Sequence, residues 1–233
     1  MSAGAQTPAP VPVSLAQPPV LVAVDQEVVD PADAKAVAWL LDLFAGGQAD
    51  LYAQDEADLS LLPTLTRTWM PRGEQLKVKA PGTNEKRSVS AATDLAEGAI
   101  LWRTDERRCA DQFCATLHEC AERSTPRGRL AVLLVDNAQG HRVGKTGIVR
   151  RALDAHAGRV VLVFLPTYSP DLQPGERLWR QWRPNVTHNH KRADIAGLVA
   201  DSNAWLAKAA SDPSSVLVML GNNVKPLAVN QAA

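Results

Sequence analysis

Residues 130–136 read LAVLLVD. An apolar run without polar alternation is the pattern of a strand buried on both faces of a sheet. Asp136, at its carboxyl end, stands where open α/β sheets tend to place their functional sites. The competing reading is a loop-capping residue, because an Asp-Asn pair is common turn chemistry. A second such run, VVLVFL at 160–165, supplies another buried strand, and a helix around Ile148 to His156 connects the two.

Upstream, the patterning predicts a helix over Asp105 to Arg123 and strands over Ala99 to Arg103, Arg87 to Thr93 and Leu76 to Ala80, the last two split by the turn Pro81-Gly82-Thr83-Asn84. The first strand is Asp50 to Leu61. Before it, Asp30 as N-cap, Pro31 at the first helical position and Gly46-Gly47 as a stop frame a helix over Pro31 to Phe44. Downstream, a helix follows Pro174, and Ala193 to Ala210 forms the last one. The order β β β α β α β α defines an α/β class with a mixed sheet flanked by helices.

Four segments result. Residues 1–19 are an Ala/Pro-rich tail with almost no charge or periodicity, and they cannot offset the entropy of ordering. Residues 20–49 are an N-terminal linker and helix, residues 50–210 the main folded domain and residues 211–233 a C-terminal tail. A chain of 233 residues can bury one sizeable core. No apolar stretch reaches the ~20 residues that cross a bilayer, so no membrane partner and a cytoplasmic location are expected.

Cys109, Cys114 and Cys120 form neither a CxxC pair nor a disulfide framework and read as reduced, packed thiols. Cys114 and His118, four apart, could share a metal, but two ligands do not close a zinc site. Lys+Arg and Asp+Glu each total 25, giving zero net charge. The distribution is uneven: Arg177 to Arg192 holds five basic and no acidic residues, and Arg67 to Arg87 holds six basic against two acidic. Each stretch could meet phosphates or be an ordinary solvated face.

Three acids stand where this element order could gather them. In the first strand, period-2 alternation puts Leu51, Ala53, Asp55, Ala57 and Leu59 on one face and Tyr52, Gln54, Glu56 and Asp58 on the other. Asp55 is the one carboxylate on the apolar face, whereas Glu56 and Asp58 read as exposed charges. An acid among apolar neighbours implies a metal, a basic partner or an opening to solvent; a strand end frayed into solvent is the alternative. Glu176 falls in the first turn of the helix after Pro174, where the helix dipole favours a carboxylate whatever its function. Glu176, Trp179 and Arg183 share one helix face at i, i+3 and i+7, so an anchored tryptophan would hold the acid rigidly.

Three carboxylates from two strands and a helix suit a phosphoryl-transfer site with two metal ions. Mg²⁺ or Mn²⁺ prefers oxygen ligands, and such a pair can activate an attacking hydroxyl and stabilise the leaving oxygen. No Ser/His/Asp or Cys/His arrangement competes with this reading.

LLVDNAQGHR (133–142) followed by VFLPTYSPDLQPGERLW (163–179) resembles the paired motifs of DDE superfamily endonucleases, in the mariner-like group of bacterial insertion-sequence transposases. DEADLSLLPTLTRTWMPRGEQ (55–75) is similar to that family's first motif, an Asp-Glu pair ahead of Trp-x-x-x-Gly, and VTHNH (186–190) to a recurrent tail. The resemblance implies a ribonuclease H-like fold. It also implies that Asp55, Asp136 and Glu176 are the catalytic, metal-binding acids, which would hold two Mg²⁺ or Mn²⁺ ions. The implied activity is strand cleavage at insertion-sequence ends followed by strand transfer into target DNA, usually at TA. Implied partners are the terminal inverted repeats, target DNA and a second copy of the chain assembled on DNA, in a bacterial, nucleoid-associated setting. Asn137, His141, Arg142, Arg177, Arg180 and Arg183 are the expected DNA-binding residues, with a hydrogen-bonding structural role open for Asn137 and His141.

Two departures from the family pattern stand out. Gln173-Pro174-Gly175-Glu176 replaces the usual Asn-Pro-Ile-Glu, and 40 positions separate Asp136 from Glu176, a long interval. Family members usually carry a helix-turn-helix module ahead of the first acid, whereas 54 residues precede Asp55. The alternative to an active transposase domain is therefore a truncated, non-cleaving remnant that binds DNA or full-length transposase.

Overall fold

The run at 130–135 is an inner strand of a five-stranded mixed sheet in the computed structural model, which describes residues 42–75, 77–79, 81–144, 147–156, 158–165 and 173–221. Strands β1 (Ala49–Ser60), β2 (Lys86–Asp94), β3 (Ile100–Asp105), β4 (Leu130–Val135) and β5 (Val160–Phe164) lie in the order β3-β2-β1-β4-β5. β1, β2 and β3 pair antiparallel, and β4 and β5 continue from β1 in parallel. Helices α1 (Ala110–Ser124), α2 (Ile148–Asp154), α3 (Gly175–Val186), α4 (Ile195–Ala210) and α5 (Pro213–Met219) complete the order.

The sheet separates two cores. On one face, Tyr52, Ala92, Leu133, Val135 and Leu162 pack against Phe113, Leu117, Cys120 and Val149 of α1 and α2. On the other, Ala57, Leu59, Val89 and Ala91 pack against Leu178, Trp179, Trp182, Leu198, Leu206 and Val216 of α3, α4 and α5. Burying both faces of the central strands removes the hydropathy alternation expected of a half-exposed sheet.

That burial corrects the reading of the first strand. β1 is the middle strand, so its even-numbered face is buried too: Tyr52 and Gln54 are 0% exposed and Glu56 only 6%. Glu56 is therefore not a surface charge, while the Asp58 side chain, 65% exposed, is. The polar residues of this face are accommodated by hydrogen bonds. The Gln54 amide donates to Glu56 Oε1 at 2.5 Å, and Ser88 and Ser90 meet Gln112 and Thr116 of α1 at 2.9 and 3.1 Å.

Other boundaries also move. Cys109 is extended, so α1 begins at Ala110 and not at Asp105, leaving residues 106–109 as a loop that carries Arg108. Residues 77–79, inside the expected Leu76 to Ala80 strand, are coil. Of the expected Pro31 to Phe44 helix, residues 42–44 are helical and the rest lies outside the described residues. The C-terminal tail expected from 211 instead opens with α5. The Asp212 side chain accepts from Ser215 N, Pro213 occupies the first helical position, and Val216 and Leu220 are buried. Gly98, at φ +70°, makes this docking possible, because a β-carbon there would lie 2.2 Å from the Pro213 carbonyl oxygen.

The thiols match expectation. Cys114 and Cys120 are buried and all three cysteines are free; burial raises the Cys114 thiol to about 11. His118 faces His156 at 2.6 Å across the α1–α2 contact. No helix among the described residues is long and apolar enough to cross a membrane.

Candidate active site

Parallel pairing of β1 and β4 brings the first two acids together. Ala53 pairs with Leu134, and two residues further along each chain stand Asp55 and Asp136. The two acids therefore occupy the same level of neighbouring strands and, by strand parity, the same face.

α3 delivers the third acid. Trp179 and Trp182, both fully buried, hold this helix against the sheet, their rings 5.4 Å apart edge to face. The chain leading into α3 is latched to β1 by the buried Gln173 side chain, whose amide donates to the Gln54 carbonyl at 2.8 Å. Gly175 then meets Asp55 directly: a β-carbon on Gly175 would lie 3.0 Å from the Asp55 β-carbon. Glycine in place of the family's isoleucine thus accompanies a close approach of helix to strand, with Glu176 next in sequence.

The electrostatics place Asp55 within range of both other acids. Burial, reinforced by the negative charges of Glu56, Glu176 and Asp136, raises Asp55 to about 7. Asp136 behaves oppositely: its hydrogen bond with His141 is the leading cause that holds it below the usual carboxylate range. Burial disfavours a charged His141 ring, but hydrogen bonds to Asp136 and Glu56 outweigh it and raise the imidazole to about 9.

Each acid has one oxygen engaged by the protein. Asp55 Oδ1 accepts from Glu56 N at 2.9 Å. Asp136 Oδ1 accepts from Ala138 N at 2.9 Å and from His141 Nδ1 at 2.7 Å. Glu176 Oε1 accepts from Arg183 Nη1 at 2.8 Å. Among the described residues, the second oxygen of each acid accepts no hydrogen bond. Three carboxylates with one free oxygen each, Asp55 among them raised chiefly by burial, offer the hard oxygen donors that a divalent cation prefers.

Among the described residues, the acids whose carboxylate oxygens all lie within 4.8 Å of one another are Asp50, Asp94 and Glu97; those of Asp55, Asp136 and Glu176 do not converge that closely. Arg123, Arg127 and Arg129 neutralise the Asp50 group with contacts down to 2.7 Å. It is an ion-pair network that ties the β2–β3 turn to the start of β1.

The residues expected at DNA fall into two groups. Arg142 and Arg180 are exposed, and Arg183 is half-exposed beside Glu176. The others make internal bonds: Asn137 donates to the Leu165 carbonyl, Arg177, itself exposed, donates to the Leu220 carbonyl, and His141 is 2% exposed with both ring nitrogens bonded. Sequence reasoning did not single out Glu56, Arg108 or Gln173. A cleft lined by Arg108, Cys109, Ala138, Gln139, Gly140 and His141 opens alongside.

A sheet ordered β3-β2-β1-β4-β5, with acids at matched levels of β1 and β4 and a third on a helix across that face, defines a ribonuclease H-like nuclease domain. Solved structures share the fold. The Mos1 mariner paired-end complex with Mn superposes with a TM-score of 0.56 at 13% identity, covering 84% of this chain and 61% of that one. The Mos1 strand transfer complex gives 0.55 at 17%, covering 81% and 56%. A sequence model of the DDE superfamily endonuclease family matches residues 50–198, and the chain belongs to that family. A protein of insertion element IS630 from Shigella sonnei, described as an uncharacterized 39 kDa protein, is 26% identical over 141 residues. That match covers 60% of this chain and 40% of the relative, so the chain spans about two fifths of the length of the relative it matches.

Proposed function

We propose that this chain is a transposase catalytic domain that cleaves DNA strands at insertion-sequence ends and transfers them to target DNA, using Mg²⁺ or Mn²⁺ held by Asp55, Asp136 and Glu176. What supports the reading is the placement of these acids on β1, β4 and α3, with Asp55 in electrostatic range of the other two and each acid keeping one oxygen free of hydrogen bonds. Bound ions would supply activation of the attacking oxygen and stabilisation of the leaving 3′ oxygen. The protein's share is positioning. β1 and β4 hold two acids level, Gln173 and the buried tryptophans fix α3, and Gly175 sets how closely Glu176 approaches Asp55. Arg142, Arg180 and Arg183 are the side chains assigned to phosphates, with Asn137 and Arg177 supporting the loops around them. Solved Mos1 complexes with a transposon end and with Mg support DNA and divalent ions as partners, and assembly as a homodimer with insertion at TA belongs to the same reading.

The test is cleavage of DNA carrying the element's ends with Mg²⁺ or Mn²⁺, comparing wild type with Asp136→Asn and Glu176→Gln. Each substitution is expected to lower the rate at least about a hundredfold, or roughly 3 kcal/mol of transition-state stabilisation. Metal-dependent cutting that survives both would overturn the assignment. Wild type that binds the ends without cutting them would favour the non-cleaving reading.

A further inference from the structure

Glu56 is a buried carboxylate one residue from Asp55, on the opposite face of β1, where the proposed chemistry does not use it. Its Oε1 lies 2.9 Å from His141 Nε2, and His141 Nδ1 lies 2.7 Å from Asp136 Oδ1. The imidazole therefore bridges around the end of β4, from the α1 side of the sheet to the metal-binding face. Its orientation is over-determined: the Phe113 ring packs at 4.3 Å, and Nδ1 also lies 3.3 Å from the Asp136 carbonyl oxygen. Glu56 is fixed in turn by the Gln54 amide at 2.5 Å, while Arg108 Nε approaches its Oε2 only to 4.0 Å. That oxygen is buried without a hydrogen-bond partner.

Keeping an under-bonded carboxylate inside a core is costly. A packing role alone would be met better by an apolar side chain. A role that needs the carboxylate is to orient His141, as partners behind metal-site groups commonly do.

We propose that Glu56 and His141 are positioning residues that act as one unit on Asp136. The pair occupies Asp136 Oδ1 from behind, together with Ala138 N, and so directs Oδ2 toward the cation. It also couples the two strands that carry metal ligands, since Glu56 adjoins Asp55. This rests on the metal-dependent reading above, and it moves His141 from a DNA contact to the support of a ligand.

The experiment is Mn²⁺ titration of the full chain, followed by electron paramagnetic resonance, for wild type, Asp136→Asn, Glu56→Gln, His141→Gln and the Glu56→Gln/His141→Gln double variant. Melting temperatures measured in parallel identify the folded variants. Glu56→Gln preserves shape and volume, so a packing role leaves Mn²⁺ affinity unchanged. The expected result is a loss of roughly tenfold for each single variant, with the double variant no weaker than the worse single one. Affinity unchanged in Glu56→Gln while Asp136→Asn is weakened, or losses that multiply in the double variant, would overturn the clamp alone. Wild type that binds no Mn²⁺, or Asp136→Asn that binds as wild type does, would overturn the metal reading and the clamp with it. Should Glu56→Gln not fold, His141→Gln decides: a folded variant with wild-type affinity overturns the clamp.

Discussion

Gly175 and Asp55 are packed so closely that a β-carbon on the glycine would stand 3.0 Å from the β-carbon of the aspartate and 3.7 Å from its Oδ2. The partner atom is at the root of a side chain on the central strand, so it cannot swing away; helix or strand must shift by a few tenths of an ångström. Gly175→Ala gains helix propensity of up to about 1 kcal/mol, which offsets much of the contact cost. Thermal stability is therefore expected to stay within about 1 kcal/mol of wild type while Mn²⁺ affinity falls several-fold. Gly175→Ile, the larger intrusion, should lose affinity further and cost about 1–3 kcal/mol. Urea unfolding and metal titration together check both, and wild-type affinity in the isoleucine variant would contradict the close-approach argument.

Asp55 and His141 predict how the metal-free domain responds to pH. Asp55 is raised from 3.8 to about 7, so between these values the native state holds more protons than the unfolded state, and stability falls as pH rises. His141 is raised from 6.5 to about 9; its contribution is complete below 6.5 and is lost as pH climbs through 9. Asp136, held low, contributes fully above about pH 4 and adds no slope in this window. Melting temperature should thus decline from pH 5 to 7 and again toward pH 9. Asp55→Asn should remove the first decline, and saturating Mn²⁺ should flatten it in wild type by stabilising the ionised carboxylate. A first decline that persists in Asp55→Asn would assign it to another group.

The parts of this site legible in the sequence are those fixed by local pattern. LAVLLV reads as a doubly buried strand because parallel strands covered on both faces lack alternation, and Asp136 follows directly. Parity along β1 separates Asp55 from Glu56 correctly. It misjudges the burial of Glu56, because whether a strand is central depends on partners distant in sequence: β2 on one side and β4, some 80 residues later, on the other. The Glu56–His141 bridge spans 85 positions and has no local signature. α5 did have one, since Asp212 followed by Pro213 is an N-cap and first helical residue, but its short apolar stretch makes little of a helical period. The start of α1 was obscured because Cys109 offers no side-chain cap.

α3 is tethered by Trp179 and Trp182, and only the second has its indole nitrogen bonded, to Ser202 Oγ of α4 at 3.1 Å. Truncating either ring to alanine should cost about 3–5 kcal/mol, a large share of a typical domain's stability. Trp182→Phe keeps most of the volume and loses the hydrogen bond to Ser202, leaving that hydroxyl buried; roughly 1–3 kcal/mol is expected. Ser202→Ala added to Trp182→Phe should recover part of the loss, because the orphaned hydroxyl disappears. Chemical denaturation of the two single variants and the double variant measures the coupling; full additivity would show that the pair does not interact.

Arg183 Nη1 holds Glu176 Oε1 at 2.8 Å, in the site proposed to receive cations. Both side chains are more than a third exposed, 40% and 36%, so the pair itself contributes little to stability, about 0–1 kcal/mol. Its effect should appear in binding. Arg183→Ala removes a positive charge that competes for Glu176, so Mn²⁺ affinity without DNA is expected to rise a few-fold, with melting temperature nearly unchanged. If Arg183 also meets a phosphate, the same variant should bind DNA more weakly regardless of sequence and reduce the slope of log affinity against log salt by about one. Arg183→Lys separates the two effects: it restores much of the salt slope through its charge but not the planar guanidinium bond to Glu176. A variant with tighter Mn²⁺ binding and an unchanged DNA salt slope would leave Arg183 as a counter-ion of Glu176 and remove it from the DNA-binding surface.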